Sequence, residues 1–96
     1  MFEIESAEAG LVVAKGRLDA AQSEKAESFL DGLDGELAVD LSELEYISSA
    51  GLGVFLKTHK RLMSSGNSLR LIKVTNHIND IFKYSGFDKL FTIETG

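Results

Sequence analysis

Two adjacent serines are the side chains of this 96-residue chain best placed to do chemistry. Ser48 and Ser49 precede Gly51 and Gly53, and apolar residues with helical spacing follow from Leu52 onward. A helix is therefore predicted to begin near Ser48 or Ser49, with its unbonded N–H groups and the positive end of its dipole at these hydroxyls. A phosphate added there would be accommodated and would bring a charge of about −1.5 to −2. The two glycines leave the backbone of the first turns open to another molecule.

The elements that must position these serines follow from the hydrophobic pattern. Asp19 is predicted to cap the first helix, with Gln22 completing a capping box, and Thr75 or Asn76 to cap the third. Gly66 is predicted to end the second helix, and strands are predicted at residues 2–5, 11–14, 37–41, 69–74 and 90–94. The order of elements is then β-β-α-β-α-β-α-β.

This order predicts an α/β fold with a mainly parallel sheet. The short connection between the first two strands implies an antiparallel hairpin, and the later alternation implies right-handed crossovers with the helices packed on the sheet. Loops are predicted at residues 16–19, 43–49 and 74–76. In open parallel sheets, function gathers at the carboxyl ends of the strands, so these three loops are the candidate site.

Composition excludes several classes of function. The chain has no cysteine, which rules out disulfides, thiolate zinc sites and a cysteine nucleophile. His59 and His77 lack a metal-binding spacing, and His59 is predicted to pack in the core. No apolar run reaches the roughly 20 residues that span a bilayer, and residues 1–10 carry three glutamates and no Lys or Arg. We therefore expect no membrane insertion and a cytoplasmic location.

The charge is unevenly distributed along the chain. The net charge is −5, which disfavours nucleic-acid binding, because that binding depends on neutralising phosphates. Residues 1–45 hold twelve acidic and three basic side chains, whereas residues 46–96 hold three acidic and seven basic ones. Such an asymmetry can steer a charged protein partner.

Three short motifs carry a resemblance to a known family. Residues 40–42 (Asp-Leu-Ser), 47–53 (Ile-Ser-Ser-Ala-Gly-Leu-Gly) and 16–19 (Gly-Arg-Leu-Asp) resemble the motifs of STAS domains, and most closely those of the anti-sigma factor antagonists. The order of elements also matches, so residues 1–96 are expected to form one STAS domain. Many members carry a further C-terminal helix, which this sequence does not show.

The resemblance implies a regulatory binding module that is not an enzyme and has no cofactor or metal. By the same resemblance, Ser49 is the phosphoacceptor. The unmodified form would bind an anti-sigma serine kinase of the GHKL type and free a sigma factor, and a PP2C-type phosphatase would reverse the modification. A monomer is expected. The implied partner-binding residues lie at the start of the second helix and in the loops beside it: Asp19, Ser48, Ser49, Ala50, Gly51, Leu52 and Thr75.

The residues leave some alternatives open. Ser48 stands where well-known members have aspartate, so it is a rival phosphoacceptor, and a lone serine here would read simply as a helix cap. A STAS subunit or sensor module of another assembly, such as a lipid-transport ABC complex, would bind through the same helix start without phosphorylation. A phosphoaspartate receiver domain is disfavoured, because Leu11 to Ala14 lead into Lys15-Gly16 with no acidic pair.

Overall fold

The computed structural model describes residues 1–95, so Gly96 of the expected domain lies outside the described residues. Five strands alternate with helices after an opening hairpin: β1 (Phe2–Glu8), β2 (Leu11–Leu18), β3 (Leu37–Ile47), β4 (Leu69–Val74) and β5 (Thr92–Thr95). The α-helices are α1 (Ser23–Asp31), α2 (Ser49–Met63) and α3 (Asn76–Ser85), and single 3₁₀ turns occupy Ala20–Gln22 and Phe87–Lys89. The predicted order of elements is confirmed.

The strands form one mixed sheet in the order β1-β2-β3-β4-β5. β1 is antiparallel to β2, and every later pair of neighbours is parallel. Each parallel connection contains a helix and moves one strand in the same direction, so right-handed crossovers place all three helices on one face. The predicted fold class, a mainly parallel sheet opened by an antiparallel hairpin, is confirmed.

The core lies between this face and the helices. Every second residue of β2, from Val12 to Leu18, is buried, and Phe55 of α2 and Phe82 of α3 are 0% exposed. His59 is also buried; its Nδ1 accepts the Leu69 N–H at 3.1 Å. His59 is therefore a packed core histidine, as its position on the apolar stripe predicts. Within residues 1–95, no helix is long and apolar enough to cross a membrane.

The loops predicted at residues 16–19 and 43–49 are wrong for most of their length. β2 continues to Leu18 and β3 to Ile47, because these segments pair with each other: Gly16 lies opposite Leu44, and Leu18 opposite Ile47. Shifts of register between the two strands let the pairing skip residues without ending. Gly16 has a φ of +88°, and a Cβ there would collide with the Met1 carbonyl oxygen, so only glycine fits.

The outer strands also differ from their predicted bounds. β1 extends to residue 8 rather than 5, since Ser6 and Glu8 still pair with β2. β5 begins at Thr92 instead of residue 90, because the 3₁₀ turn Phe87–Lys89 follows Gly86, which ends α3 with a φ of +77°.

Asp40 lies in the middle of β3 and anchors an irregular stretch of the sheet. Its Oδ1 accepts the Ser42 N–H at 2.8 Å, and Lys73 Nζ lies 3.7 Å from Oδ2. Lys73 has a φ of +53°, so β4 is irregular at the same level. Burial raises the pKa of Asp40, but hydrogen bonds from Ser42 and the charge and hydrogen bond of Lys73 outweigh it, so the pKa lies below the ordinary value of 3.8.

The depressed pKa of Asp40 predicts an acid-sensitive contribution to stability. A carboxylate with a lowered folded-state pKa stabilises the fold above its unfolded pKa of 3.8, and this contribution disappears as pH falls through the folded pKa. We expect Asp40→Asn to lower the free energy of unfolding at pH 7 and to lose less stability than wild type on acidification from pH 5 to 2. Urea unfolding across this range measures the difference. Asp80→Asn, at an exposed carboxylate, is the control; equal acid sensitivity of wild type and Asp40→Asn would contradict the assignment.

Candidate functional site at the carboxyl edge of the sheet

Three polar residues stand directly after the ends of three parallel strands. Asp19 follows β2, Ser48 follows β3 and Thr75 follows β4. Each has extended backbone angles, and each side chain accepts a hydrogen bond from a backbone N–H three residues later. All three are therefore N-caps, and they bring three helical N-termini to one edge of the sheet.

The capping bonds have similar geometry. Asp19 Oδ1 accepts from Gln22 N at 3.1 Å, Ser48 Oγ from Gly51 N at 3.1 Å, and Thr75 Oγ1 from Ile78 N at 3.4 Å. Capping of the third helix by Thr75 is confirmed. Asp19 caps the 3₁₀ turn rather than α1 itself, whose N-cap is Gln22, because the turn stands between them. The predicted capping box is wrong, since within residues 1–95 the Gln22 backbone, and not its side chain, bonds to Asp19.

The two serines at the start of α2 have different surroundings. Ser48 is half-buried, and its hydroxyl oxygen is engaged in the cap. Ser49 is the first residue of α2 and is exposed, and its hydroxyl forms no hydrogen bond with the residues 1–95. Ser49 is thus the hydroxyl that another molecule can reach without breaking a capping bond.

One backbone hydrogen bond brings the first two caps together. Ser48 N donates to the Leu18 carbonyl at 2.9 Å, and Leu18 immediately precedes Asp19. Asp19 and Ser48 are therefore neighbours across the ends of β2 and β3. Thr75 lies at the same edge beyond β4, and within residues 1–95 no hydrogen bond joins it to either serine.

The two glycines of α2 play opposite structural parts. A Cβ on Gly51 would lie 2.8 Å from Leu18 Cγ and 2.9 Å from Ile47 Cγ1, so the first turn of α2 rests directly on the ends of β2 and β3. A Cβ on Gly53 would meet nothing within 4 Å. Gly51 is required by packing, and Gly53 is not.

The predicted partner-binding residues divide by exposure. Ser49 and Ala50 are exposed, whereas Gly51 and Leu52 are buried, with Leu52 only 1% exposed. Gly51 and Leu52 therefore hold the helix start against the core, and the exposed surface of the first turns of α2 consists of Ser49, Ala50 and Gly53.

Two pairs of residues near this edge escape detection in the sequence. Arg17 lies over the ring of Tyr46, with its guanidinium carbon 4.7 Å from the ring centroid. Lys57 of α2 pairs with Glu27 of α1, and this hydrogen bond raises the pKa of Lys57. Tyr46 lies opposite Arg17 only because β3 continues past residue 41, and Lys57 and Glu27 are 30 residues apart, so only the fold reveals either pair.

The chain matches a known family along nearly all of its length. A family model described as "Mlab, STAS domain" matches residues 2–93. A Bordetella bronchiseptica protein described as the anti-sigma factor antagonist BtrV is 33% identical over 90 residues, which cover 88% of this chain and 78% of that protein.

Solved structures show the same fold. An anti-sigma factor antagonist from Thermotoga maritima has a TM-score of 0.80 at 19% identity, over 99% of this chain and 86% of the other. The Bacillus cell fate determinant SpoIIAA in its phosphorylated form has a TM-score of 0.69 at 20% identity, over 99% of this chain and 92% of the other. At these identities, the likeness concerns the fold.

The two glycines predict substitutions of opposite sign. Gly51→Ala forces a methyl group against Leu18 and Ile47, and overpacking of this kind costs about 1–3 kcal/mol of unfolding free energy. Gly53→Ala adds a methyl group in open space and should stabilise the protein by about 0.5–1 kcal/mol through helix propensity. Urea denaturation measures the change in unfolding free energy of both variants, and two changes of the same sign would contradict the different roles of the two glycines.

Replacing each of the two serines by alanine is likewise expected to change the free energy of unfolding by different amounts. Ser48→Ala removes the cap and should lower the free energy of unfolding by about 0.5–2 kcal/mol. Ser49→Ala should change it by less than about 0.5 kcal/mol, because the exposed hydroxyl holds nothing in place. Thermal and urea unfolding compare the variants; a larger loss in Ser49→Ala would show that the cap is misassigned.

Proposed function

This chain belongs to the STAS domain family, and we propose that it acts as an anti-sigma factor antagonist whose switch is the phosphorylation of Ser49. In this proposal, the unmodified form binds an anti-sigma serine kinase of the GHKL type and thereby frees a sigma factor. Phosphorylation at Ser49 ends the binding, and a PP2C-type phosphatase restores it. The observation that carries the proposal is an exposed serine at the first position of α2, beside a second serine that is committed to the cap.

The names of similar proteins support the general role. BtrV is described as an anti-sigma factor antagonist, and SpoIIAA, which shares the fold, has been solved in a phosphorylated form. A module of this kind works by binding, which suits an edge where three capped helices present backbone and small side chains.

The geometry favours Ser49 over Ser48 as the acceptor. A kinase that modified Ser48 would have to reach a half-buried hydroxyl whose oxygen already accepts the Gly51 N–H and caps α2. Modification of Ser49 breaks no hydrogen bond within residues 1–95 and places the phosphate at the N-terminal end of a 15-residue helix. There the helix dipole and the unbonded N–H groups accommodate negative charge.

The added phosphate would oppose binding locally. It brings a charge of about −1.5 to −2 and a firmly held hydration shell next to Ala50 and Gly53, which are exposed and carry no polar side chain. The carboxylate of Asp19 stands nearby across the ends of β2 and β3, so the charge of this edge becomes strongly negative. A kinase surface that fits the unmodified edge would have to desolvate this phosphate, which disfavours the complex.

Phosphate transfer tests the site directly. We expect the cognate GHKL-type kinase with ATP to add one phosphate to wild type and to Ser48→Ala, and none to Ser49→Ala, with mass spectrometry mapping the modified peptide. Ser48→Ala is the matched control, because it removes the neighbouring hydroxyl and keeps Ser49. Modification of Ser49→Ala to the wild-type level would overturn the assignment, and modification only at Ser48 would transfer it to the rival serine.

A second function deserves a test because the family model is described as Mlab rather than as an anti-sigma factor antagonist. In that case the chain is a STAS subunit of another assembly, such as a lipid-transport ABC complex, and the same helix start binds without phosphorylation. Affinity purification with tagged wild type and Ser49→Asp separates the two. Recovery of an ABC ATPase by both proteins supports the second function, whereas recovery of a serine kinase by wild type alone supports the first.

A further inference from the structure

The glycine at position 53 is not required by any contact within residues 1–95. It lies in the second turn of α2, is exposed, has no left-handed backbone angle, and has nothing within 4 Å of an added Cβ. A glycine at such a position costs about 0.5–1 kcal/mol relative to alanine. Gly51 is required by Leu18 and Ile47, but no turn, positive φ or close approach within residues 1–95 requires Gly53.

A groove of about 400 Å³ opens directly beside Gly53. It lies between α2 on one side and α1 with its preceding 3₁₀ turn on the other. Ala50, Gly53 and Val54 line the α2 side, and Ala20 lines the opposite side. Gly53 lines this groove and an added Cβ there meets nothing within 4 Å, so a long side chain at position 53 would extend into the groove.

The rim of the groove is acidic. Glu24 and Glu27 of α1 line it, and Lys57 of α2 closes one end through its ion pair with Glu27. Asp31 also acts on Lys57, since its charge is one of the causes that raise the pKa of that lysine. Glu27 is paired with Lys57, whereas Glu24 and Asp31 form no ion pair within residues 1–95, and this surplus of negative charge is complementary to lysine or arginine side chains.

The groove continues from the proposed phosphoacceptor. Ser49, Gly53 and Lys57 are spaced at i, i+4 and i+8 and therefore share one face of α2. Lys57 lies about 12 Å along the helix from Ser49, which exceeds the Debye length of about 8 Å at physiological salt. A phosphate on Ser49 is therefore largely screened from the carboxylates around Lys57, and the two ends can act separately.

We propose that this groove is a docking subsite that receives an apolar side chain from a positively charged segment of the partner kinase. The proposal rests on the proposed function for the identity of the partner. The apolar side chain packs over the bare backbone of Gly53 between Ala20 and Val54, and basic residues on either side of it face the carboxylates of α1. The groove determines which partner binds, and the phosphorylation state of Ser49 determines whether the complex is stable.

Filling the groove tests the packing. Gly53→Leu should keep the fold, because the added side chain starts in open space, and should raise the Kd for the kinase at least about tenfold, the scale of a binding hot spot. Ser28→Leu is the matched control, since it adds the same side chain at an exposed position of α1 that does not line the groove. Calorimetry of both variants compares the affinities. Unchanged affinity in Gly53→Leu, with circular dichroism like wild type, would overturn the proposal.

Reversing one rim charge tests the electrostatics. Glu24→Lys should slow association of the kinase by about threefold or more at low salt and reduce its dependence on salt. Asp80→Lys makes the same change of charge on α3 and should have no comparable effect. Stopped-flow binding at several salt concentrations measures both; equal effects would show that only the net charge of the protein matters.

Two readouts keep the failure of this proposal distinct from the failure of the proposed function. If the kinase binds wild type and modifies Ser49 but tolerates Gly53→Leu, the groove proposal alone fails. If no such kinase binds, two model helical peptides with the same apolar pattern, one with lysine and one with glutamate at its polar positions, replace it as probes. We expect only the lysine peptide to shift the amide signals of Ala20, Ala50 and Gly53, and only in protein with Gly53 intact. Equal shifts with both peptides, or shifts elsewhere, would overturn the groove.

Discussion

The parallel pairing of β2 with β3 is the constraint on which the candidate site depends. The pairing reaches Leu18 opposite Ile47, and the hydrogen bond from Ser48 N–H to the Leu18 carbonyl carries it one residue further. The strands β2 and β3 must therefore end at the same level of the sheet, which makes Asp19 and Ser48 neighbours. The same two strand ends form the surface on which Gly51 rests. The start of α2 is therefore fixed by the sheet rather than by the loop before it.

This constraint explains why neighbouring residues of the same type behave differently. Ser48 leaves the sheet with extended backbone angles, so its side chain turns back to the helix and caps it. Ser49, one residue later, already has helical geometry and points away from the cap. Gly51 faces the strand ends and Gly53 faces solvent for the same reason, since two positions along a helix correspond to a rotation of about 200°. Helix periodicity alone therefore places the exposed residues Ser49 and Gly53 next to the buried Gly51, which packs against the sheet.

Local patterns in the sequence predict much of this arrangement, but they do not predict the features that depend on contacts between distant residues. The caps at Asp19 and Thr75 and the bounds of β4 follow from residue type and periodicity, which act within a few residues. The length of β3 does not, because shifts of register break the alternation of its inward and outward residues beyond Asp40. No local pattern predicts the ion pair between Glu27 and Lys57 or the groove beside it, because both depend on the packing of α1 against α2.

The helix-free face of the sheet is less suited to binding a partner than the carboxyl edge and the groove are. Several of its charged side chains pair with one another across the strands: Lys15 with Glu5 and Glu43, Lys73 with Asp40, and Arg70 with Glu94. Exposed pairs of this kind contribute little to stability, at most about 1 kcal/mol each. They do make the face costly to desolvate, because a partner covering it would have to strip water from matched charges that already satisfy one another. A partner instead finds small side chains and bare helix backbone at Ala50 and Gly53, where little polar surface has to lose its water.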